Sequence, residues 1–189
     1  MKEVNIVGRR LVLREIKEEN LPILLKWRNS DSFQTHCIST KSTVTLEDLD
    51  KELVKAYVSD RNIQFIAWNK NDNPVGTCWI YRYSTANKVG YVTTFVSEDY
   101  RDSNFYGVEM FLLLCQYMFV QLGCRKIYCE VHADNDNSLS IFKKINAQLE
   151  AVLHHHLKRS EDTFVDLLIF AIYREEYEKS NFPKRFLDD

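Results

Sequence analysis

Val96-Ser97-Glu98-Asp99-Tyr100-Arg101-Asp102-Ser103-Asn104-Phe105-Tyr106-Gly107 is the stretch on which the fold turns. Before it, Lys88 to Val96 is rich in β-branched and aromatic residues and reads as a strand. After it, Met110, Leu113, Leu114, Tyr117 and Met118 keep helical spacing from Tyr106 to Leu122, and Gly123 ends the helix. Lys126 to Val131 then returns to a β-rich run. A strand, a long helix and a second strand make a crossover, so the two strands are expected to run parallel. The quoted stretch is the turn at its top. Ser103 and Asn104 are good capping residues there, and the unpaired N–H groups of a helix start can hold a phosphate. Arg101 would add a charge-assisted contact. Two readings stand side by side at this point: an anion cradle, and an ordinary capped helix with an exposed arginine.

Upstream, Arg10 to Arg14 alternates polar and apolar residues as a strand does. Glu18 to Arg28 is helical, with Pro22 in its first turn, and Thr45 opens a second helix that sets Leu46, Leu49 and Leu53 on one face. Gln64 to Trp68, Val75 to Tyr83 and Lys88 to Val96 form an antiparallel meander, with the turn formers Asn69 to Pro74 in the first connection. Downstream, Asn135 to Ile145 is a short amphipathic helix started by Asn135-Asp136-Asn137-Ser138. Gln148 to Leu157 and Thr163 to Tyr173 are the last strands, and 175–189 reads as a loosely docked charged tail. The predicted class is α+β: a mixed, mostly antiparallel sheet of about seven strands, helices on both faces, and a splay between two parallel central strands. Both helix starts, near 103–107 and 135–138, open on the same side of that sheet around one cleft.

Composition bounds the alternatives. The 189 residues are 45% apolar and 28% charged, which suits one globular domain over 1–177 with a tail at 178–189. The net charge of −2 argues against a nucleic-acid partner held by phosphate neutralisation. Five cysteines, an odd number with no C-x-x-C, argue for free thiols in a reducing cytoplasm. Met1 to Arg10 lacks the apolar core of a leader, and apolar runs such as Met110 to Cys115 are too short to span a bilayer. The expectation is a cytoplasmic protein with neither membrane nor nucleic acid as partner, monomeric or homodimeric.

Four segments then resemble one family in order. They are Gly8 to Arg14, Trp27-Arg28-Asn29, Asn135-x-x-Ser138-x-x-x-Phe142-x-Lys144-x-Asn146-Ala147, and Val165-Asp166-Leu167 with Tyr173 to Tyr177. Together with the element order they are similar to the GNAT (GCN5-related) acyltransferases, particularly the ribosomal-protein N-acetyltransferase-like branch, over about residues 8–177. The resemblance implies an N-acyltransferase using acetyl-CoA or another acyl-CoA. The acceptor would be a small-molecule or peptide amine: an amino sugar on a nucleotide, a small amine or a protein N-terminus. By the same resemblance, the backbone near Phe95 and Val96 pairs with the pantetheine arm, and Phe142 closes the cofactor site. Arg101, Ser103, Asn104, Phe105, Tyr106 and Gly107 hold the pyrophosphate. Asn135 binds pantetheine or a water, and Ser138 protonates the leaving thiolate. The sequence also departs from the family. Of its glycine loop only Gly107 remains, with Phe105 where the first glycine is expected, and Phe142 replaces a tyrosine acid. These departures keep a second reading open, a GNAT-fold binding or regulatory module that has lost catalysis.

Acceptor-side candidates follow from residue chemistry. Attack needs a neutral amine, so a base of pKa near 7 is sought. His36, just past the first helix, is the candidate. In His154-His155-His156, strand alternation would set His155 on the opposite face from the other two, with at most one of them facing substrate. No third ligand at suitable spacing supports a metal site. Glu130 and His132 face either cleft or solvent. Asp166 binds an amine or pairs with a strand neighbour. Trp79, Tyr81 and Tyr83 share one strand face, as core or as pocket wall, and Arg28 stands in the segment similar to enzymes of nucleotide-linked amino sugars.

Overall fold

The computed structural model describes residues 4–37, 42–58, 62–101 and 105–180. Its strands are β1 (Asn5–Val7), β2 (Leu11–Glu15), β3 (Ile63–Asn69), β4 (Pro74–Ser84), β5 (Val89–Val96), β6 (Lys126–His132), β7 (Gln148–Lys158) and β8 (Phe164–Tyr173). They form one sheet in the order β1-β2-β3-β4-β5-β6-β8-β7. β5 and β6 pair in parallel, and every other neighbouring pair is antiparallel. The sequence had suggested about seven strands. The eighth, β1, has only three residues, too few for alternation to show.

The helices are α1 (Leu21–Arg28), α2 (Asp31–His36), α3 (Leu46–Val58), α4 (Tyr106–Gln116), α5 (Asp136–Lys144) and α6 (Arg174–Lys179). α4 and α5 cover one face of the sheet. There Met110, Leu113, Leu114, Phe142 and Ile145 pack on Leu11, Leu13, Phe65, Ile80, Val92 and Ile127. α1, α2 and α3 cover the β2–β5 half of the other face through Leu21, Leu24, Trp27, Phe33 and Leu49. α4 is apolar nearly all round, as a helix buried on all sides must be. It widens into a π-helical turn over Tyr117–Gln121, and Gly123 stops it at φ 65°.

Two expectations need correction. α2 was not foreseen. Ser30 starts it by accepting a hydrogen bond from the Phe33 N–H, so His36 ends a helix and does not sit in a loop. The charged tail is docked at its start. α6 packs Tyr177 against Phe119 at 5.1 Å, and the Tyr177 hydroxyl donates to the Leu112 carbonyl.

Candidate active site

β5 and β6 are in register only from Val89↔Lys126 to Tyr91↔Tyr128. Past that point they separate, and the gap is the cleft anticipated from the crossover. Its outer chamber, about 470 Å³, is bounded by Thr94 to Val96, Arg101 and the start of α5. Its inner chamber, about 90 Å³, lies between Val92 to Thr94, Cys129 to His132, and Phe142. His36, Cys37, Thr94, Asn135 and Ser138 line both chambers.

The backbone of β5 supplies an open edge there. The Ser97 N–H donates to the Val75 carbonyl of β4 at 2.9 Å. Backbone polarity alternates along a strand, so Phe95 also turns its groups to β4, while Thr94 and Val96 turn theirs to the gap. The Phe95 side chain is buried against Phe33 (5.0 Å between ring centres) and Trp27 (6.3 Å). What this strand offers to a ligand is therefore the main chain on either side of Phe95, not Phe95 itself. β4 lies so close that a Cβ on Gly76 would stand 2.1 Å from the Phe95 oxygen.

At the top of the gap α4 begins at Tyr106, with Gly107 next and Phe105 as N-cap. Phe105 adopts φ 57°, ψ 30°, the left-handed conformation for which glycine is usually selected, and its ring is 67% exposed. The missing glycine therefore does not reroute the chain at this residue. Ser103 and Asn104 lie outside the described residues. Behind the turn, buried Glu109 fixes the helix to the sheet. Its Oε1 accepts from the N–H groups of Arg10 (2.6 Å) and Leu11 (3.0 Å), and its Oε2 pairs with Arg10. The open β5 edge suits the amide arm of an acyl-CoA, and the start of α4, where a Cβ on Gly107 would stand 3.3 Å from Val96 at the end of β5, suits its phosphates.

Across the gap, the Asn135 Oδ1 accepts from the Ser138 N–H at 3.2 Å, so Asn135 caps α5 and aims it at the cleft. Ser138 is half-buried on the wall of both chambers. Phe142 is 7% exposed, stacked on Phe170 at 5.1 Å and edge-on to Phe111 at 5.6 Å. It is an apolar floor with no proton to give.

The α2 side of the cleft holds two histidines near an arginine. Arg159, in the β7–β8 turn, binds both carboxylate oxygens of Asp134 at 2.8 Å, the Thr35 carbonyl at 2.8 Å, and lies 2.7 Å from the His132 Nδ1. Burial, then the Arg159 charge, lowers the His132 pKa to about 4. His36 is exposed on its outer side; the burial it does have, followed by the charges of Arg159 and Arg101, lowers its pKa as well. Both imidazoles are thus neutral near pH 7. An arginine donating to the His132 Nδ1 requires the proton on Nε2, so His132 has no free lone pair with which to take another proton. Arg101 reaches Ser32 of α2 and lies 3.9 Å from Glu98. Cys37 is half-exposed by area yet closely surrounded, and burial pushes its thiol up to about 12, so it stays protonated.

The remaining acceptor-side candidates scatter. Trp79 stacks on Phe33 at 5.8 Å within the α1–α2 cluster. Arg28 pairs with Glu52 of α3 and lies over Phe33 and Trp79. Tyr81 stays on the cleft face and donates to Glu130 at 3.2 Å. Tyr83 does not share that face. The β4 register shifts at Arg82, which turns Tyr83 to the α4 side and its hydroxyl to the Leu122 carbonyl. The alternation expected for the three histidines fails similarly, because β7 breaks register between Leu153 and Leu157 and His155 sits at φ 49°. Asp166 pairs with a strand neighbour: it accepts from the His155 N–H and lies 3.0 Å from the His154 Nδ1. Neither His155 nor Asp166 lines the cleft. Sequence reasoning missed Asp134 and Arg159. A lone arginine in a polar turn carries no signal of where the hairpin folds. Among the described residues no group of three or more His, Cys, Asp or Glu is placed to hold a metal ion.

Comparison with known proteins agrees with this geometry. A model of the acetyltransferase (GNAT) domain matches residues 10–148. No curated protein sequence matches the chain. Among solved structures, the spermidine N-acetyltransferase of Vibrio cholerae in complex with CoA and spermine is similar with a TM-score of 0.82 at 14% identity, over 90% of this chain and 99% of that one. A K23-Q34 chimera of that enzyme, SpeG, with hSSAT has a TM-score of 0.81 at 13% identity, over 91% and 100%. At such identities the structures show a common fold. With the family model spanning most of the sheet and both cleft helices, the chain belongs to the GNAT family of N-acetyltransferases.

Proposed function

We propose that the protein transfers the acetyl group of acetyl-CoA to a primary amine by direct attack, with His36 as general base and Ser138 as proton donor to the departing thiolate. The observation that carries this reading is the convergence of His36 and Ser138 on one cleft beside the open edge of β5. Acetyl-CoA supplies the activated acyl group. The Thr94 and Val96 main chain and the first N–H groups of α4 bind it. Neutral His36 takes a proton from the acceptor ammonium. The inner chamber, at about 90 Å³, suits an acetyl group better than a long acyl chain. Cys37 is a poor nucleophile because it is protonated, which favours direct attack over an acyl-cysteine route. The spermidine N-acetyltransferase complex with spermine supports an amine as acceptor.

Phe142 favours a second reading. Where a tyrosine acid would stand, the floor of the cleft is a stacked phenylalanine, as in a binding module that has lost catalysis. Calorimetric titration with acetyl-CoA, followed by CoA release on a panel of amines, separates the two. The enzyme reading expects binding and turnover, with Ser138→Ala slowing turnover at least tenfold. Binding without turnover on any amine selects the module. No binding at millimolar acetyl-CoA removes the enzyme reading.

A further inference from the structure

The cleft-side face of β4, β5 and β6 carries an arrangement the acetyl transfer does not use. Tyr81 and Tyr91 stand 5.3 Å apart, and Tyr91 stacks on Tyr128 at 4.9 Å, at the last paired position before the strands part. Glu130 lies two residues further along β6, lines the inner chamber, and accepts the Tyr81 hydroxyl. Two ring faces and a carboxylate at one point form a receptor for a cation. A cation already occupies it. The Arg82 guanidinium lies 5.7 Å from the centre of Tyr81 and 5.2 Å from that of Tyr91, and its Nη1 is 2.9 Å from the Glu130 Oε1.

Arg82 is an odd choice for a structural tie. Its side chain is 65% exposed, and exposed pairs contribute little to stability. Its backbone sits at φ 50°, where the β4–β5 register slips. That is a strained conformation for a side-chain-bearing residue. The receptor is also continuous with the catalytic cleft, because Glu130 belongs to both.

We infer that Tyr81, Tyr91 and Glu130 form a subsite for a second positive charge on the acceptor, and that Arg82 is a resident placeholder which this charge displaces. The acceptor class is an aliphatic diamine or longer polyamine. One amine reaches the inner chamber beside His36, and the other, as ammonium, takes the place of the guanidinium. This rests on the acetyl-transfer reading and adds to it the charge of the acceptor.

The test compares 1,4-diaminobutane with butylamine, using CoA release by the unmodified protein, Arg82→Ala and Glu130→Gln. Arg82→Ala is expected to lower KM for the diamine about tenfold and leave butylamine unchanged, whereas Glu130→Gln raises the diamine KM by a similar factor. Equal shifts for both amines, or one diamine KM across all three proteins, would overturn the inference. Calorimetric titration of 1,4-diaminobutane without acetyl-CoA gives an independent readout. Tighter binding to Arg82→Ala supports the subsite whether or not any amine is acetylated, and equal binding overturns it. Turnover of butylamine with no diamine response sinks the subsite and leaves acetyl transfer standing. A calorimetric difference without turnover does the reverse.

Discussion

At the residue scale, His36 is where electrostatics and proposed chemistry meet. Its imidazole is lowered first by burial and then by the positive charges of Arg159 and Arg101. A base must be unprotonated, so kcat/KM is expected to rise with pH and level off above a midpoint below 6.5. Arg159→Ala removes one of the causes, and the midpoint should move upward. His36→Ala should lower kcat by about 100-fold with KM for acetyl-CoA nearly unchanged. A pH–rate profile of the three proteins checks this, and a midpoint unmoved by Arg159→Ala would count against His36 as base. Asn135 and Ser138 could be placed beside the cleft because they sit in a short capping segment, whereas His36 was singled out for its chemistry just past the first helix, without the helix α2 that carries it. Arg159 was not, because its role depends on where a hairpin tip lands relative to α2 and β6. Phe105 shows the limit from the other side. The sequence reveals that a glycine is missing, and only the backbone shows that phenylalanine takes the glycine conformation there.

At the scale of elements, crossover logic carried the fold. The parallel pair β5–β6, the helix between the two strands and the cleft at their splay all follow from the order of periodic segments. What periodicity could not give are the places where it breaks. At Arg82 and at His155 a positive φ slips the register, and each slip re-aims the side chains beyond it. These two residues are why the shared face of Trp79, Tyr81 and Tyr83 and the alternation of the three histidines failed as expectations. The close approach of β4 to β5 makes a second prediction. Gly76→Ala puts a Cβ 2.1 Å from the Phe95 oxygen, a contact with main chain that cannot swing away. The strands must part, at a cost of roughly 3 kcal/mol, and the melting temperature should fall by roughly 10 °C. Because the displaced strand carries the Thr94 and Val96 edge, KM for acetyl-CoA should rise as well. A variant that melts lower yet binds acetyl-CoA normally would show that this edge does not hold the cofactor. Glu109→Ala acts on the other support of the cleft. It leaves the Arg10 and Leu11 N–H groups without their carboxylate, and should lower stability by about 3 kcal/mol in denaturant unfolding.

At the scale of the whole molecule, the same charges that keep the cleft histidines neutral make the fold sensitive to acid. His132 is 7% exposed, and its pKa is lowered to about 4 by burial and then by Arg159, whereas in the unfolded chain it titrates near 6.5. Between those two values the unfolded chain binds a proton that the folded chain refuses. Stability therefore rises with pH across this window and falls as pH drops from 6.5 toward 4. The loss amounts to about 2–3 kcal/mol over the window. Asp134 does not offset it, because its Arg159 hydrogen bonds hold its own pKa below the usual carboxylate value, so it too gives up stability only at lower pH. Urea unfolding at a series of pH values should show this slope, and His132→Gln, which cannot titrate, should flatten it between pH 6.5 and 4. Since Arg159 joins the β7–β8 turn to both α2 and the end of β6, protonation of His132 pushes on a side chain that ties these three elements together. The cleft should therefore open before the sheet melts. Acetyl-CoA affinity should decline at a higher pH than the loss of sheet signal in circular dichroism, and coincidence of the two midpoints would show that the latch and the sheet unfold as one.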